Sequence, residues 1–377
     1  MRIVVDDAIA AADAAFGELA GASGELVRLP SRAIVAGAPA LREAEALIVR
    51  SVTRVDEALL AGAPALGFVG TATAGSDHLD RDALARRGIA VADAAGCNAQ
   101  AVAEWVIVAL LSVLPSLPAS IARGPIGVVG VGQVGARLVG LLRRLGGFEA
   151  VLCCDPPRAR RGDADEDWLA LAELWARCSI VTLHVPLTTS GADPTCGLID
   201  RDHPKPAGPK LLINTSRGPV VPTRALERAD LHARVLDVFE REPELDWPVL
   251  LDGRTRLLSP HVAGYSLEAK LRASAMMQAA LARWSGRESS VDLLGSLAPL
   301  RLGESGDPLA LLHRVVDLPG DDRRVRALVE LPASERAAAF EQLRRGYALR
   351  REFAGCEVEA SAPERREWLA SLGFRVG

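Results

Sequence analysis

The stretch from Ile126 to Asp155, IGVVGVGQVGARLVGLLRRLGGFEAVLCCD, constrains the fold more than any other part of the chain. A short run rich in β-branched residues (Ile126, Val128, Val129) enters Gly130, Gly132 and Gly135 in a G-x-G-x-x-G spacing. An apolar helical pattern follows (Leu138, Leu141, Leu142, Leu145), and a second apolar run, Val151 to Cys154, ends at Asp155. That order predicts strand, glycine turn, helix, strand. In such a turn the first glycine permits the tight bend, the second lets backbone approach a pyrophosphate, and the third lets helix and strand pack closely. The unpaired N–H groups and the dipole at the helix N-terminus favour negative charge. Asp155, about twenty residues beyond Gly135, is placed to accept hydrogen bonds from ribose hydroxyls and to repel a 2′-phosphate, which predicts NAD as the cofactor. Methyltransferases also carry a glycine turn after a first strand, but here strand, helix and acid all agree with a dinucleotide. Arg158, Arg160 and Arg161 would suit a 2′-phosphate; Asp155 argues against one.

At 377 residues the chain exceeds one ordinary core, and two or three domains are expected. Before the glycine turn, strand-like runs (Arg2 to Val5, Ala46 to Val49, Leu66 to Val69, Ile89 to Ala92) alternate with helical patterns such as Asp56 to Ala61 and Arg81 to Arg87. Such alternation predicts a parallel sheet with helices on its faces, binding ligands beyond the carboxyl ends of its strands. Arg50 to Thr53 and Gly70 to Gly75 fall there, rich in small and hydroxyl residues; ordinary turns and caps explain them equally well. Ala99 to Leu114 reads as a long apolar helix linking two α/β lobes. The alternation resumes through Ser179 to His184, Lys210 to Asn214, Arg234 to Val238 and Arg256 to Leu258, and Ser266 to Trp284 offers a helical return to the first lobe. Two lobes with a cleft between them are implied. Beyond residue 287 apolar runs (Leu309 to Val316, Val325 to Leu331) mix with an arginine-rich helix, Arg336 to Arg351, expected to be solvated or subunit-facing.

Hydrophobic residues make up 49% and charged residues 24% of the chain, and the net charge is −4, an ordinary globular balance that gives no reason to expect nucleic acid as a partner. Only three of the 44 basic residues are lysines (Lys205, Lys210, Lys270), which reads as a coding bias. The N-terminus lacks the pattern of a signal peptide, and the best candidate for a membrane span, Ala99 to Pro118, is interrupted by Glu104, Pro115 and Pro118; a cytoplasmic protein without membrane attachment is expected. Six cysteines without a C-x-x-C pair predict reduced thiols and no metal site.

Three residues at strand ends carry the chemistry. Arg217 in INTSRGP presents a planar fork that suits a carboxylate, although a loop arginine is more often a surface residue. Glu242 lies in DVFEREP and His261 in LLSPHVAG. Of the six histidines, His261 best fits proton transfer, with Glu242 to stabilise its imidazolium and fix its tautomer. Taking hydride from a carbinol carbon releases the hydroxyl proton to His261 while Arg217 orients a substrate carboxylate. A non-catalytic NAD-sensing protein is the alternative of a different class.

GVGQVG, Asp155, INTSRGP, DVFEREPEL and SPHVAGY together resemble the D-2-hydroxyacid dehydrogenase family. The resemblance implies that Arg217, Glu242 and His261 are the catalytic set. IVRSVTRVDEALLAG, FVGTATAGSDHLD, AAGCNAQAVAEWV, CDPPRARRGD and HVAGYSLEAK resemble a branch of that family acting on a phosphorylated 2-hydroxy acid, as do FEQLRRGYALRREF and SLGFRV in the tail. It implies an α/β fold of two doubly wound parallel-sheet lobes with an added C-terminal α+β dimerisation domain. The flavodoxin-like substrate lobe would comprise residues 1–95 and 265–286, the Rossmann NAD lobe 96–264, and the dimerisation domain 287–377, giving a homodimer. It also implies substrate contacts at Ser51, Thr73 and Tyr265. Besides Gly130, Gly132, Gly135 and Arg217, NAD contacts would come from Gln133, Val134, Asp155, Val185, Thr215, Ser216, Asp237 and Gly264, with Asp237 near the nicotinamide amide. Val185 departs from a hydroxyl residue in that branch, leaving backbone contact. The segment Arg224 to Arg234 is about four residues shorter than usual and could displace Asp237 or Glu242. A dehydrogenase for another 2-hydroxy acid, such as 3-phosphoglycerate, is the alternative within the family.

Overall fold

The computed structural model describes residues 1–295 and 297–377. They form two compact units, the first from Met1–Asn98 and Ser266–Ala298, the second from Ala99–Tyr265 and Pro299–Gly377.

The first unit is built on a five-stranded sheet of β1 (Arg2–Asp6), β2 (Glu25–Leu29), β3 (Ala46–Val49), β4 (Phe68–Thr71) and β5 (Ala90–Asp93). Every pairing is parallel and the order is β2-β1-β3-β4-β5. Alternate residues feed two cores: Ile3, Val5, Ile48 and Phe68 on one face, Val4, Leu47, Val49 and Val69 on the other. Both faces are buried, as parallel sheets require. The helix Leu267–Ser285 begins at Ser266, whose hydroxyl accepts from Ala269 N at 3.0 Å, and it places Met277 and Leu281 in the first core. The edge strand β2 and the helix Ala12–Ala20 were not predicted.

In the second unit the strands are β6 (Ile126–Val129), β7 (Val151–Cys154), β8 (Ile180–Leu183), β9 (Lys210–Asn214), β10 (Leu231–Leu236) and β11 (Thr255–Leu258). All pair in parallel, in the order β11-β10-β9-β8-β6-β7. The direction of winding reverses beside β6, whose carboxyl end leads into the glycine turn, so that turn sits at the switch point where doubly wound sheets bind ligands. The segment Arg224 to Arg234 runs into β10 at Leu231, and the turn before that strand is fastened by Arg228, whose Nε and Nη2 donate to Asp230 at 2.9 and 2.8 Å.

The tail, expected as a separate domain, shares the cores of this second unit. It carries a small parallel sheet of β12 (Leu300–Leu302), β13 (Cys356–Val358) and β14 (Arg375–Val376). Leu312, Phe353 and Phe374 join the core that contains Val128 and Ile180, while Phe340 joins the one under Val129 and packs edge-on against Phe239 with ring centroids 5.7 Å apart. The edge of β11 is covered by the helix Leu318–Ala327: Asp322 accepts from Leu258 N at 2.9 Å and Arg326 donates to Thr255 O at 2.8 Å. That cover removes an open edge that would otherwise template pairing. The arginine-rich helix runs only from Ala333 to Arg345, because Gly346 ends it. Arg350 therefore lies off the helix, and it is buried rather than solvated or subunit-facing.

The helix Ala99–Val113 is buried almost throughout, Glu104 included. Contrary to the interruption read from its sequence, Ala99–Ser116 is long and apolar enough to cross a membrane by length and composition, yet 67% of it is buried inside the fold. Cys196 is exposed and the other five cysteines are buried; burial pushes the Cys153 and Cys154 thiols up to about 12.

Candidate active site

Each of the six strands β6 to β11 ends beside a residue singled out by sequence: Gly130 after β6, Asp155 after β7, Val185 beyond β8, Thr215 to Arg217 after β9, Asp237 and Glu242 after β10, and His261 after β11. Because the strands are parallel, these ends share one edge of the sheet.

The glycine turn is built as its spacing requires. Gly130 has a φ of +83°, and a Cβ there would lie 2.8 Å from the His184 backbone; one at Gly135 would lie 2.1 Å from Gly130 O. A Cβ at Gly132 would meet nothing within 4 Å among the described residues. Gly132 also caps the helix Gln133–Leu145 without a side-chain hydrogen bond, which leaves its first N–H groups, those of Gln133 and Val134 among them, open to an anion. An open pocket before this turn is lined by Gly132, Gln133, Arg137, Arg158 and Arg161. These features fit a dinucleotide pyrophosphate.

Asp155 does two things at once. Its Oδ1 accepts from Arg158 N at 3.0 Å, capping the helix Pro156–Arg161, and its Oδ2 accepts from Val131 N at 2.8 Å, tying that helix to the glycine turn. A carboxylate has further lone pairs for ribose hydroxyls. The neighbouring arginines are engaged by acids: Arg158 with Asp163 and Asp165 at 2.8 and 2.6 Å, Arg160 with Asp193, and Arg161 with Asp163. Those pairings weaken the 2′-phosphate reading.

Next to the turn, His184 bonds Thr182 through Nε2 at 2.9 Å and Thr215 through Nδ1 at 3.3 Å. Burial drives its pKa down to about 3, so it is a neutral structural group rather than a proton carrier. After β9, buried Asn214 organises the arginine loop: its Oδ1 accepts from Ser216 N and Oγ at 3.1 and 2.7 Å, and its Nδ2 donates to Arg217 O at 3.1 Å. The Arg217 guanidinium donates to Ser216 O at 2.8 Å. Gly218 then passes so close to the next loop that a Cβ would fall 1.8 Å from Phe239 O. Only glycine allows the two loops this approach.

Asp237 fastens the histidine loop. Its carboxylate accepts from Ser259 Oγ at 2.6 Å, Val262 N at 2.8 Å and Ala263 N at 3.1 Å. Burial pushes its pKa up, opposed by His261 and these donors. Held this way, His261 adopts a φ of +58°, uncommon without glycine and the kind of local strain found at functional sites. Its Nδ1 lies 2.7 Å from Glu242 Oε2, while Glu242 Oε1 accepts from Phe239 N at 2.8 Å. Burial works to raise the Glu242 pKa, but the hydrogen bond and charge of His261, with the Phe239 N–H and Arg344, outweigh it and hold the carboxyl below its ordinary value. The pair is thus a carboxylate orienting an imidazole through its Nδ1.

Tyr265 follows the same loop, its ring edge-on to Tyr347 at 5.9 Å. In the first unit, Ser51 is exposed in a turn, and Thr73 Oγ1 bonds Thr71 at 2.8 Å and Gly75 O at 2.9 Å. Sequence reasoning missed Asn214, Gly218, Ser259 and the tail residues Arg344 and Tyr347. All five lie inside motifs already quoted, but no feature of FEQLRRGYALRREF pointed Arg344 or Tyr347 toward the strand ends.

Residues 17–294 match the family described as D-isomer specific 2-hydroxyacid dehydrogenase, catalytic domain, and residues 306–373 match a domain of unknown function. Erythronate-4-phosphate dehydrogenase of Azotobacter vinelandii is 45% identical, over 99% of this chain and 99% of its own. The enzyme of that name from Pseudomonas aeruginosa is 43% identical over 100% of both. Among solved structures, D-lactate dehydrogenase of Aquifex aeolicus complexed with NAD and lactic acid superposes with a TM-score of 0.59 at 23% identity, covering 76% of this chain and 96% of that one.

Proposed function

The chain belongs to the D-isomer specific 2-hydroxyacid dehydrogenase family, and from that premise we propose that it oxidises 4-phospho-D-erythronate to 2-oxo-3-hydroxy-4-phosphobutanoate with NAD, a step toward pyridoxal 5′-phosphate. The observation that carries the chemistry is the His261–Glu242 pair, 2.7 Å apart on the sheet edge that bears the glycine turn. The substrate rests on the relatives' names and on similarity that extends through the tail.

The coenzyme would be held by Gly130, Gly132, Gln133, Val134 and Gly135 at its pyrophosphate, and by Asp155 at its ribose. Val185, Thr215, Ser216, Arg217, Asp237 and Gly264 would complete its surroundings. When bound, NAD supplies the acceptor for the hydride leaving C2. His261 Nε2 takes the C2 hydroxyl proton as the C–O bond becomes a carbonyl, and Glu242 stabilises the imidazolium that results. Arg217 pairs with the substrate carboxylate, and Ser51, Thr73 and Tyr265 are the further substrate contacts. We also infer a cytoplasmic homodimer.

The test is to incubate purified protein with the phosphoacid and NAD in the presence of a carbonyl trap. NADH and trapped 2-oxo acid are expected, with faster turnover than on 3-phosphoglycerate. Their absence would overturn the assignment.

A further inference from the structure

The family's catalytic-domain match ends at residue 294, and the tail beyond it matches a domain with no assigned role. Yet this tail reaches the catalytic pair. The helix Ala333–Arg345 brings Arg344 Nη1 to 3.9 Å from Glu242 Oε2, the oxygen that also bonds His261. The Arg344 side chain is 22% exposed; its Nη1 donates to Glu341 at 2.8 Å, and its Nε is buried without a hydrogen-bond partner among the described residues. Beyond the helix end, Tyr347 packs on Tyr265 and donates to Asp321 at 3.0 Å.

We propose that Arg344 is a positioning residue for the His261–Glu242 pair: its guanidinium shares the Glu242 carboxylate with the imidazole, so the C-terminal segment sets the pH range of the reaction. This rests on the dehydrogenase reading of the site. A fixed cation beside the shared carboxylate favours its charged form and disfavours a second cation on the imidazole. Among the described residues, the charged groups beside the pair are Asp237 at the end of β10, next to His261, and Arg344 from the tail, next to Glu242; Tyr265 and Glu341 act on Arg344, and Tyr347 on Asp237. Hydride removal needs His261 unprotonated, so a lower affinity extends oxidation to lower pH.

The experiment compares R344Q and R344K with the parent. In R344Q the acid limb of kcat/KM should move up by about half to one pH unit, and R344K should restore it. In the NAD-bound protein the His261 NMR resonance, assigned by its loss in H261N, should titrate with the same shift. That second readout needs no turnover, so it stands even if the substrate assignment fails. Should R344Q not fold, E341Q relieves Arg344 of its acid and should move the limb down. An unmoved limb and resonance in R344Q, an equal loss of rate at every pH in both arginine variants, or a limb in E341Q that stays or rises would each overturn the proposal.

Discussion

Asp237 and Ser259 meet across the ends of β10 and β11, the serine hydroxyl 2.6 Å from the carboxylate. With Val262 N and Ala263 N on the same carboxylate, Asp237 anchors the loop that presents His261. Asp237→Asn keeps the size but sets an amide N–H against backbone N–H groups, leaving buried donors unpaired. A loss of about 1–3 kcal/mol in urea unfolding is expected, together with a fall in kcat larger than any change in NAD affinity. Unchanged stability would show that the loop holds itself.

In the proposed reaction the pair at 2.7 Å uses His261 as the base and Glu242 as its support. His261→Ala should lower turnover by about 10²–10⁴ while NAD binding, measured calorimetrically, stays near the parent value. Glu242→Gln should leave a smaller defect and move the acid limb of the rate profile down, because the imidazolium loses its counter-charge. Tight NAD binding without turnover, unaffected by His261→Ala, would favour the NAD-sensing alternative.

Asp155 is both a helix cap and the proposed ribose reader, and the two roles separate experimentally. Asp155→Ala should cost about 0.5–2 kcal/mol of stability through the lost cap and narrow the preference for NAD over NADP. Asp155→Ser, which can still cap, should recover the stability but not the coenzyme preference. If the ratio of kcat/KM values for the two coenzymes does not move, the carboxylate caps and does not read the ribose.

The glycine turn and the strand-end residues were legible because each depends on residues adjacent in sequence: Gly130 on its left-handed φ, His261 on an apolar strand just before it. Strand β2 was missed because Glu25 and Arg28 are exposed on an edge, breaking the apolar run that marks buried parallel strands. The arginine-rich helix was misread for a different reason. Arginine and alanine repeat through Arg336 to Arg351 without marking a buried face, and what singles out Arg344 and Arg350 is the chain they meet, Glu242 and Glu104, far away in sequence. Gly346 was the local sign that the helix stops before Arg350.

Glu104 predicts how stability depends on pH. Burial, opposed by Arg350 3.4 Å away, raises its pKa from 4.5 to about 8. Between those values the folded chain keeps a proton that the unfolded chain has released, so this group favours folding less as pH rises through the window, and its effect levels off above about 8. Glu104→Gln should flatten the decline in urea midpoint between pH 5 and 8, with a difference of about 1–4 kcal/mol across the window. A parent and variant with parallel profiles would place the pH dependence elsewhere.

Because the tail shares the cores of the second unit, removing it should do more than separate subunits. Deleting residues 290–377 uncovers the apolar face around Val128 and the ring of Phe239, so an aggregating or poorly folded product is expected rather than a stable monomer. A single substitution isolates the packing from any subunit contact: Phe340 is fully buried against Phe239, whose N–H holds Glu242. Phe340→Ala should cost about 3–5 kcal/mol and lower kcat by loosening the Glu242 loop, with the oligomeric state by light scattering unchanged. A truncated chain that stays folded, monomeric and active would show that the tail serves assembly and not the site.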